Sequence, residues 1–183
     1  MFELLITVLF VPLFLVFEET WLKLLLSVSY LAIVIPGLYA HCFGAPFLPT
    51  KGRQIEVMLR LANITKGEKV VDLGCGDGRL LLAFEKVSPG NVVGYEFSIP
   101  TFLLAKFLTV GRDVEVIYGN FWSLDLSEMD VILCFLQENS MARFERELWP
   151  KLKSGTKVLS NHFKMGKAKS VRNQEGIHLY VKK

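Results

Sequence analysis

The sequence predicts an α/β fold: an apolar helical start, then a sheet that is parallel through most of its strands and closes with an antiparallel hairpin. Three observations carry this. Val70-Val71-Asp72-Leu73-Gly74-Cys75-Gly76-Asp77-Gly78 runs from an apolar strand into an acidic residue and three alternating glycines, and the helical stretch Arg79 to Lys86 follows, making a strand–loop–helix unit. Asp130 to Phe135 is a near-continuous apolar run, which suits a strand covered on both faces of a parallel sheet. Beyond Lys157 only short strand segments remain, with no room for another long helix.

The apolar content is high and uneven. Of 183 residues, 51% are hydrophobic, with a mean hydropathy of +0.37. Residues 1–43 carry one cation, Lys23, and three anions, whereas 44–183 carry 20 Lys+Arg against 15 Asp+Glu. The chain therefore divides into a membrane-anchoring helical segment, 1–43, and a domain of ordinary single-domain size, 44–183. Cys42, Cys75 and Cys134 form no C-x-x-C pair, which points to a reducing compartment and no structural zinc.

Taken in order, Leu4 to Phe17 is almost wholly apolar, and Trp21 to Ala40 is a second apolar run with Lys23 near its start. Twenty helical residues at ~1.5 Å each reach roughly 30 Å, the hydrocarbon thickness of a bilayer. The second run is the stronger transmembrane candidate; the first reads as a second span or as a re-entrant or interfacial helix. Lys51, Arg53 and Arg60 follow the second run, so the rest of the chain is expected in the cytoplasm. Pro46 and Pro49 then hold an extended linker. Gly52 to Ile64 predicts an amphipathic helix with Ile55, Met58, Leu59 and Ala62 inward. Thr65-Lys66-Gly67-Glu68 turns it into the first strand, Lys69 to Leu73.

After the glycine loop and its helix, Ser88-Pro89-Gly90-Asn91 turns into a second strand ending at Glu96. Pro100 to Val110 is expected as helix, Val114 to Tyr118 as a third strand and Asp130 to Phe135 as the fourth. Ser140 is the expected cap of a helix to Trp149, stopped by Pro150. Lys157 to Phe163 is the fifth strand. Lys169 to Arg172 and Ile177 to Lys182 are expected to pair around a turn at Asn173-Gln174-Glu175-Gly176.

The chemistry centres on the glycine loop. A dinucleotide fingerprint would need glycine where Arg79 stands. The spacing is instead D-x-G-x-G-x-G, similar to the first motif of class I S-adenosylmethionine-dependent methyltransferases. Glu96, at the end of the second strand, is placed to accept ribose hydroxyls. Cys75, between two loop glycines, reads as a small residue close to a ligand rather than a nucleophile.

From Pro46 onward the chain resembles the lysine N-methyltransferase family that includes the ATP synthase c-subunit and adenine nucleotide translocase methyltransferases. The matching pieces are Pro46-Phe47-Leu48-Pro49-Thr50, Val71 to Arg79, Gly94-Tyr95-Glu96, Asn120-Phe121-Trp122 and Glu145-Arg146-Glu147-Leu148. The resemblance implies a Rossmann-like seven-strand methyltransferase sheet with a terminal antiparallel hairpin, preceded by membrane helices. It implies S-adenosyl-L-methionine as cofactor, held by Asp72, Gly74, Cys75, Gly76, Asp77, Gly78, Glu96, Phe97, Asn120 and Phe121. Asn120 stands where the family usually has Asp, and an amide oxygen still accepts from the adenine amine. Phe47, Pro49, Thr50, Gln137 and His162 are the candidates for the acceptor pocket. Leu136 replaces the proline that usually precedes Gln137.

The implied reaction is methyl transfer to a protein lysine, on a membrane-embedded partner. Methylation of a lipid or quinone is the leading alternative, which the apolar start also explains. An RNA acceptor is the further alternative, since residues 151–183 hold nine cations and one anion. No Asn/Asp-Pro-Pro-Tyr/Phe motif follows the fourth strand, which counts against a nucleobase amine. A membrane-anchored binding module without chemistry is disfavoured by the intact Asp72, Gly74, Gly76 and Glu96.

Overall fold

The computed structural model describes residues 20–43 and 49–183, with side chains of the first helix described to Ile35. The apolar run Leu4 to Phe17 and the linker residue Phe47 lie outside the described residues. Helix α1, Thr20–Phe43, covers the second apolar run. Among the described residues no helix is long and apolar enough to cross a membrane.

The domain is built on a seven-stranded sheet of order β3-β2-β1-β4-β5-β7-β6. The strands are β1 Val70–Leu73, β2 Val92–Glu96, β3 Glu115–Tyr118, β4 Val131–Cys134, β5 Lys157–Asn161, β6 Arg172–Gln174 and β7 Ile177–Val181. Those from β1 to β5 pair in parallel, while β7 runs antiparallel to both β5 and β6. This is the predicted Rossmann-like sheet with its closing hairpin. The order reverses between β1 and β4, and open α/β sheets bind ligands in the crevice beyond the strand ends at such a point.

Side chains alternate between two cores, as the pleat requires. Val70, Val92, Val131 and Leu133 face α2 (Gly52–Ala62) and α3 (Arg79–Glu85). Val71, Leu73, Ile132 and Cys134 face α5 (Glu138–Glu147). Every residue of β4 is buried, which is why its sequence shows no polar alternation. Helix α4, Ile99–Leu108, buries only Ala105.

Several local expectations are corrected. Helix α2 buries Val57, Met58, Leu61 and Ala62, with Ile55 and Leu59 only partly buried beside them. It ends at Ala62 because Asn63 turns left-handed at φ 41°, and Lys157 Nζ donates to the Ala62 carbonyl at 2.7 Å. Ser140 is no cap: it is buried inside α5, whose N-cap is Gln137. The helix starts earlier because Glu138 suits its positive end and Met141 and Phe144 must meet the sheet. His162, at φ 72°, ends β5 before Phe163. Asn173 and Gln174 are strand rather than turn, paired with His178 and Ile177. Only Glu175 and Gly176 turn, both at positive φ, as a tight two-residue hairpin requires.

Candidate active site

The carboxyl ends of β3, β2, β1, β4 and β5 line one edge of the sheet and carry, in that order, Asn120 and Phe121, Glu96 and Phe97, the glycine loop, Phe135 to Gln137, and His162. Topology thus gathers residues that lie up to ninety positions apart in the chain.

The loop curls over β2. The N–H groups of Gly74 and Cys75 both donate to the Tyr95 carbonyl, at 2.9 and 3.0 Å. That approach needs Gly94: a Cβ there would lie 2.7 Å from both Cys75 Cβ and Leu81 Cδ1. Sequence reasoning quoted Gly94 without assigning it a role, although a glycine inside a strand commonly marks close backbone approach. Gly74, Gly76 and Gly78 sit at φ 83°, 59° and 80°, conformations that side-chain-bearing residues rarely adopt. A Cβ at Gly74 would meet no atom within 4 Å, so space is open beside the loop backbone. Cys75 is buried, and burial, then Asp72 and Glu96, pushes its thiol well above the usual range, so it packs rather than attacks.

Glu96 ties the loop to the next turn. One carboxylate oxygen accepts the Gly76 N–H at 2.9 Å and the other the Ser98 N–H at 2.7 Å. The Thr101 side chain and the Phe97 backbone also stabilise this carboxylate. Burial raises the Glu96 carboxyl, and these backbone donors pull it back. Asp72 is 2% exposed and paired with no cation among the described residues. Burial, then the Glu96 and Asp77 carboxylates, pushes its carboxyl up to about 8. Such a group suits a cationic ligand.

Asp77 is engaged elsewhere. Arg79 holds both of its oxygens, with the closest contact at 2.5 Å, and lowers its carboxyl against the opposing effect of burial. The same guanidinium donates from Nη1 to the Thr50 carbonyl at 3.2 Å, strapping the end of the linker to the glycine loop. Thr50 is buried and Pro49 exposed. Arg79 went unassigned in the sequence reading. The Asp-x-Arg spacing was the available signal.

Asn120 is exposed, and its Oδ1 accepts the Trp122 N–H at 3.1 Å, capping a 3-10 turn, Phe121–Ser123. The backbone N–H of Gly119 reaches the Glu96 carbonyl at 3.0 Å, which holds this turn beside the β2 end. Phe97 stacks on Tyr118 with centroids 5.9 Å apart. On the other side of the loop, Gln137 caps α5 by backbone alone, which leaves its amide uncommitted to the helix. His162 is exposed, with its backbone N–H on the Gly176 carbonyl at 2.8 Å. Its ring lies 6.1 Å from Phe135 and 6.4 Å from Phe163, two aromatics the sequence reading had not selected. A surface groove lined by Lys69, Asn91, Arg112 and Glu115 lies at the opposite ends of the strands.

Comparison with known proteins agrees with this geometry. Residues 72–172 match the ANTKMT methyltransferase domain. A protein-lysine N-methyltransferase of Saccharolobus islandicus is 32% identical over 126 residues, covering 66% of this chain and 78% of that protein. The adenine nucleotide translocase lysine N-methyltransferase of Mus musculus is 30% identical, covering 64% of this chain and 53% of the relative, so this chain spans about half of that protein's length. An RNA methyltransferase of Salinibacter ruber, solved with S-adenosyl-L-homocysteine, superposes with a TM-score of 0.67 at 27% identity, covering 74% of this chain and 94% of that one. The buried carboxyl of Asp72, the glycines that open the loop backbone, and this match over more than half the chain place the protein in the ANTKMT methyltransferase domain family, as an S-adenosyl-L-methionine-dependent methyltransferase.

Proposed function

We propose that the acceptor is a lysine amine of a membrane protein, methylated at the cytoplasmic surface. The observation that carries this reading is the crevice itself, in which a carboxyl side (Asp72, Glu96) and an aromatic side (Phe135, His162, Phe163) flank the strand-order reversal. The names of the Saccharolobus islandicus and Mus musculus relatives support the lysine, and the second names a translocase as the protein methylated.

When bound, S-adenosyl-L-methionine supplies a methyl group on a sulfonium, open to direct displacement by an amine. The residues fitted to hold it are Asp72 and the loop at Gly74 to Gly78 for the methionine half, Glu96 for the ribose, and Asn120 for the adenine. The chain's remaining tasks are alignment and desolvation. Alignment alone contributes roughly 7–11 kcal/mol to such reactions. A free lysine at pH 7 must lose a proton at a cost of about 4.6 kcal/mol, given a pKa of ~10.4 and ~1.36 kcal/mol per unit. Phe135, the buried Leu136 and Phe163 disfavour the ammonium by keeping water away, and the Gln137 amide oxygen can accept from the neutral amine.

Labelled cofactor incubated with the full-length protein and native membranes should place the label in protein, recovered after hydrolysis as methyl-lysine. The Salinibacter ruber neighbour is described as an RNA methyltransferase, so extracted RNA is assayed alongside lipid. Label mainly in either fraction would sink the lysine assignment.

The membrane placement is supported by α1, whose Trp21, Leu24, Leu25, Val28, Leu31 and Ile35 are all exposed. Solvent does not favour such a helix, and Lys51, Arg53 and Arg60 just beyond it favour the cytoplasmic side.

Cofactor binding should also release a proton. An acid raised from 3.8 to about 8 stays neutral in the ligand-free fold across the range where the unfolded chain is charged. Asp72 therefore destabilises the ligand-free fold progressively as pH rises from about 4 to about 8. A cationic ligand selects the carboxylate, so affinity should climb with pH and level off near 8. Calorimetry at pH 7 in buffers of different ionisation enthalpy should show close to one proton released, and Asp72→Asn should lose that dependence. Heats that do not vary with buffer would remove Asp72 from the cationic site.

A further inference from the structure

Between β5 and β6 the chain runs through residues 162–171 without helix or strand, and it begins with His162 and Phe163, on the aromatic side of the crevice. Such a stretch keeps one shape only if its backbone polar groups find partners. Its first residues do so close to β5. The Ser160 hydroxyl donates to the Phe163 carbonyl at 2.6 Å, the Phe163 N–H reaches the Asn161 carbonyl at 2.9 Å, and the Met165 N–H reaches the Tyr180 hydroxyl oxygen at 3.0 Å. The next three N–H groups converge on one side chain. Glu145 Oε2 accepts from Gly166 at 2.8 Å, Oε1 accepts from Ala168 at 2.5 Å, and the Lys167 N–H is shared between Oε1 at 2.8 Å and Oε2 at 3.1 Å. No main-chain oxygen meets these three donors among the described residues.

Glu145 stands in the last turn of α5, the helix whose N-cap is Gln137. One helix thus carries a candidate for amine contact at its start and, near its end, grips the loop that presents His162 and Phe163. Phe135 and Gln137 reach the acceptor gap from the β4 side, and His162 and Phe163 reach it from the β5 side. Hydrogen bonds from N–H groups to a carboxylate are roughly twice as strong as neutral ones, so this clasp is a firm one.

We infer that Glu145 is a positioning residue for methyl transfer: by holding the loop after β5 to α5, it fixes the width of the gap in which the acceptor amine is aligned. The inference rests on the lysine reading proposed above and adds a residue that acts through the loop. Glu145 opens the stretch Glu145-Arg146-Glu147-Leu148, for which the crevice by itself has no use. Without the clasp, the Met165 contact to Tyr180 is the hydrogen bond left to hold the loop between Phe163 and Ala168. Phe163 and Ala168 are only partly buried, so packing alone restrains them weakly.

The test uses Glu145→Ala and Glu145→Gln in the full-length protein. Calorimetry gives the Kd for S-adenosyl-L-methionine, and methyl-lysine formation on titrated native membranes gives kcat and the half-saturating amount of membrane. Misplacing an acceptor by about 1 Å can cost about a hundredfold in rate, so Glu145→Ala should lower kcat by roughly tenfold to a hundredfold while Kd and half-saturation stay within about twofold. Glu145→Gln keeps one acceptor oxygen and should fall between, which also carries the test where Glu145→Ala does not fold. Hydrogen–deuterium exchange should quicken over residues 163–170 and stay unchanged in the glycine loop. Faster exchange there with wild-type kcat would overturn the inference, because the loop would then move without consequence for the reaction. Cofactor affinity and melting temperature falling in step with kcat would overturn it in favour of a structural tie. A change confined to half-saturation would mean that the loop docks the acceptor protein without aligning its amine, which overturns it too. Wild-type protein that puts its label in lipid or RNA overturns the lysine reading and the inference together, whereas methyl-lysine formed equally by wild type and Glu145→Ala sinks the inference alone.

Discussion

Gly94→Val should abolish measurable cofactor binding and destabilise the domain. At this position a Cβ would stand 2.7 Å from Cys75 Cβ, 2.7 Å from Leu81 Cδ1 and 2.8 Å from Cys75 Sγ. Leu81 is fully buried and has nowhere to retreat. Overpacking of this kind typically costs about 1–3 kcal/mol. The upper part of that range applies, because valine adds two further methyls. Relief would come by lifting the loop, which breaks the hydrogen bonds from Gly74 and Cys75 to the Tyr95 carbonyl and moves the loop away from the proposed cofactor crevice. Calorimetric titration and thermal denaturation read the two effects separately. In a Gly94→Ala background, Cys75→Gly removes two of the three clashing atoms and should recover part of the lost stability. Wild-type affinity and melting temperature in Gly94→Val would show that the loop does not need this close approach.

The second large effect is expected from Glu96→Ala. Its carboxylate receives two backbone N–H groups, from Gly76 and Ser98, which the substitution leaves without their partner. A hydrogen bond to a charged group contributes about 1.5–3 kcal/mol. Losing the ribose contacts and the loop tie together should therefore weaken S-adenosyl-L-methionine by at least about tenfold, with a hundredfold near the upper end. Glu96→Gln, which keeps one oxygen acceptor, should fall between. The calorimetric Kd decides: unchanged affinity in Glu96→Ala would take this residue out of the site.

Both predictions depend on contacts that differ in how far they could be read from sequence. Glu96 was legible because an acidic residue closing the strand after a glycine loop has a chemical reason to be there. The clash that makes Gly94 obligatory was not, since it involves a loop curling back onto a neighbouring strand. Arg79 was legible in half: its pairing with Asp77, two residues away, has a local signal, whereas its hold on the Thr50 carbonyl, 29 residues away, has none. Phe135 and Phe163 looked like ordinary strand-end aromatics until the pairing of β4 with β5 set them beside His162.

What the sequence by itself determined was the kind and order of the elements. Buried strands such as β4 announce themselves by unbroken apolar residues, and the glycine loop by residues that alone tolerate positive φ. Those are local constraints, enforced by each residue's own chemistry. The tertiary structure decided where polar elements begin and end and which distant residues share the crevice. Strand β6 is exposed throughout, so only pairing with β7 makes it a strand. Ser140 has a cap's chemistry, yet the packing of Met141 and Phe144 starts α5 before it. A buried face outweighs a weak local preference because it removes whole side chains from water, whereas a cap satisfies one or two backbone groups.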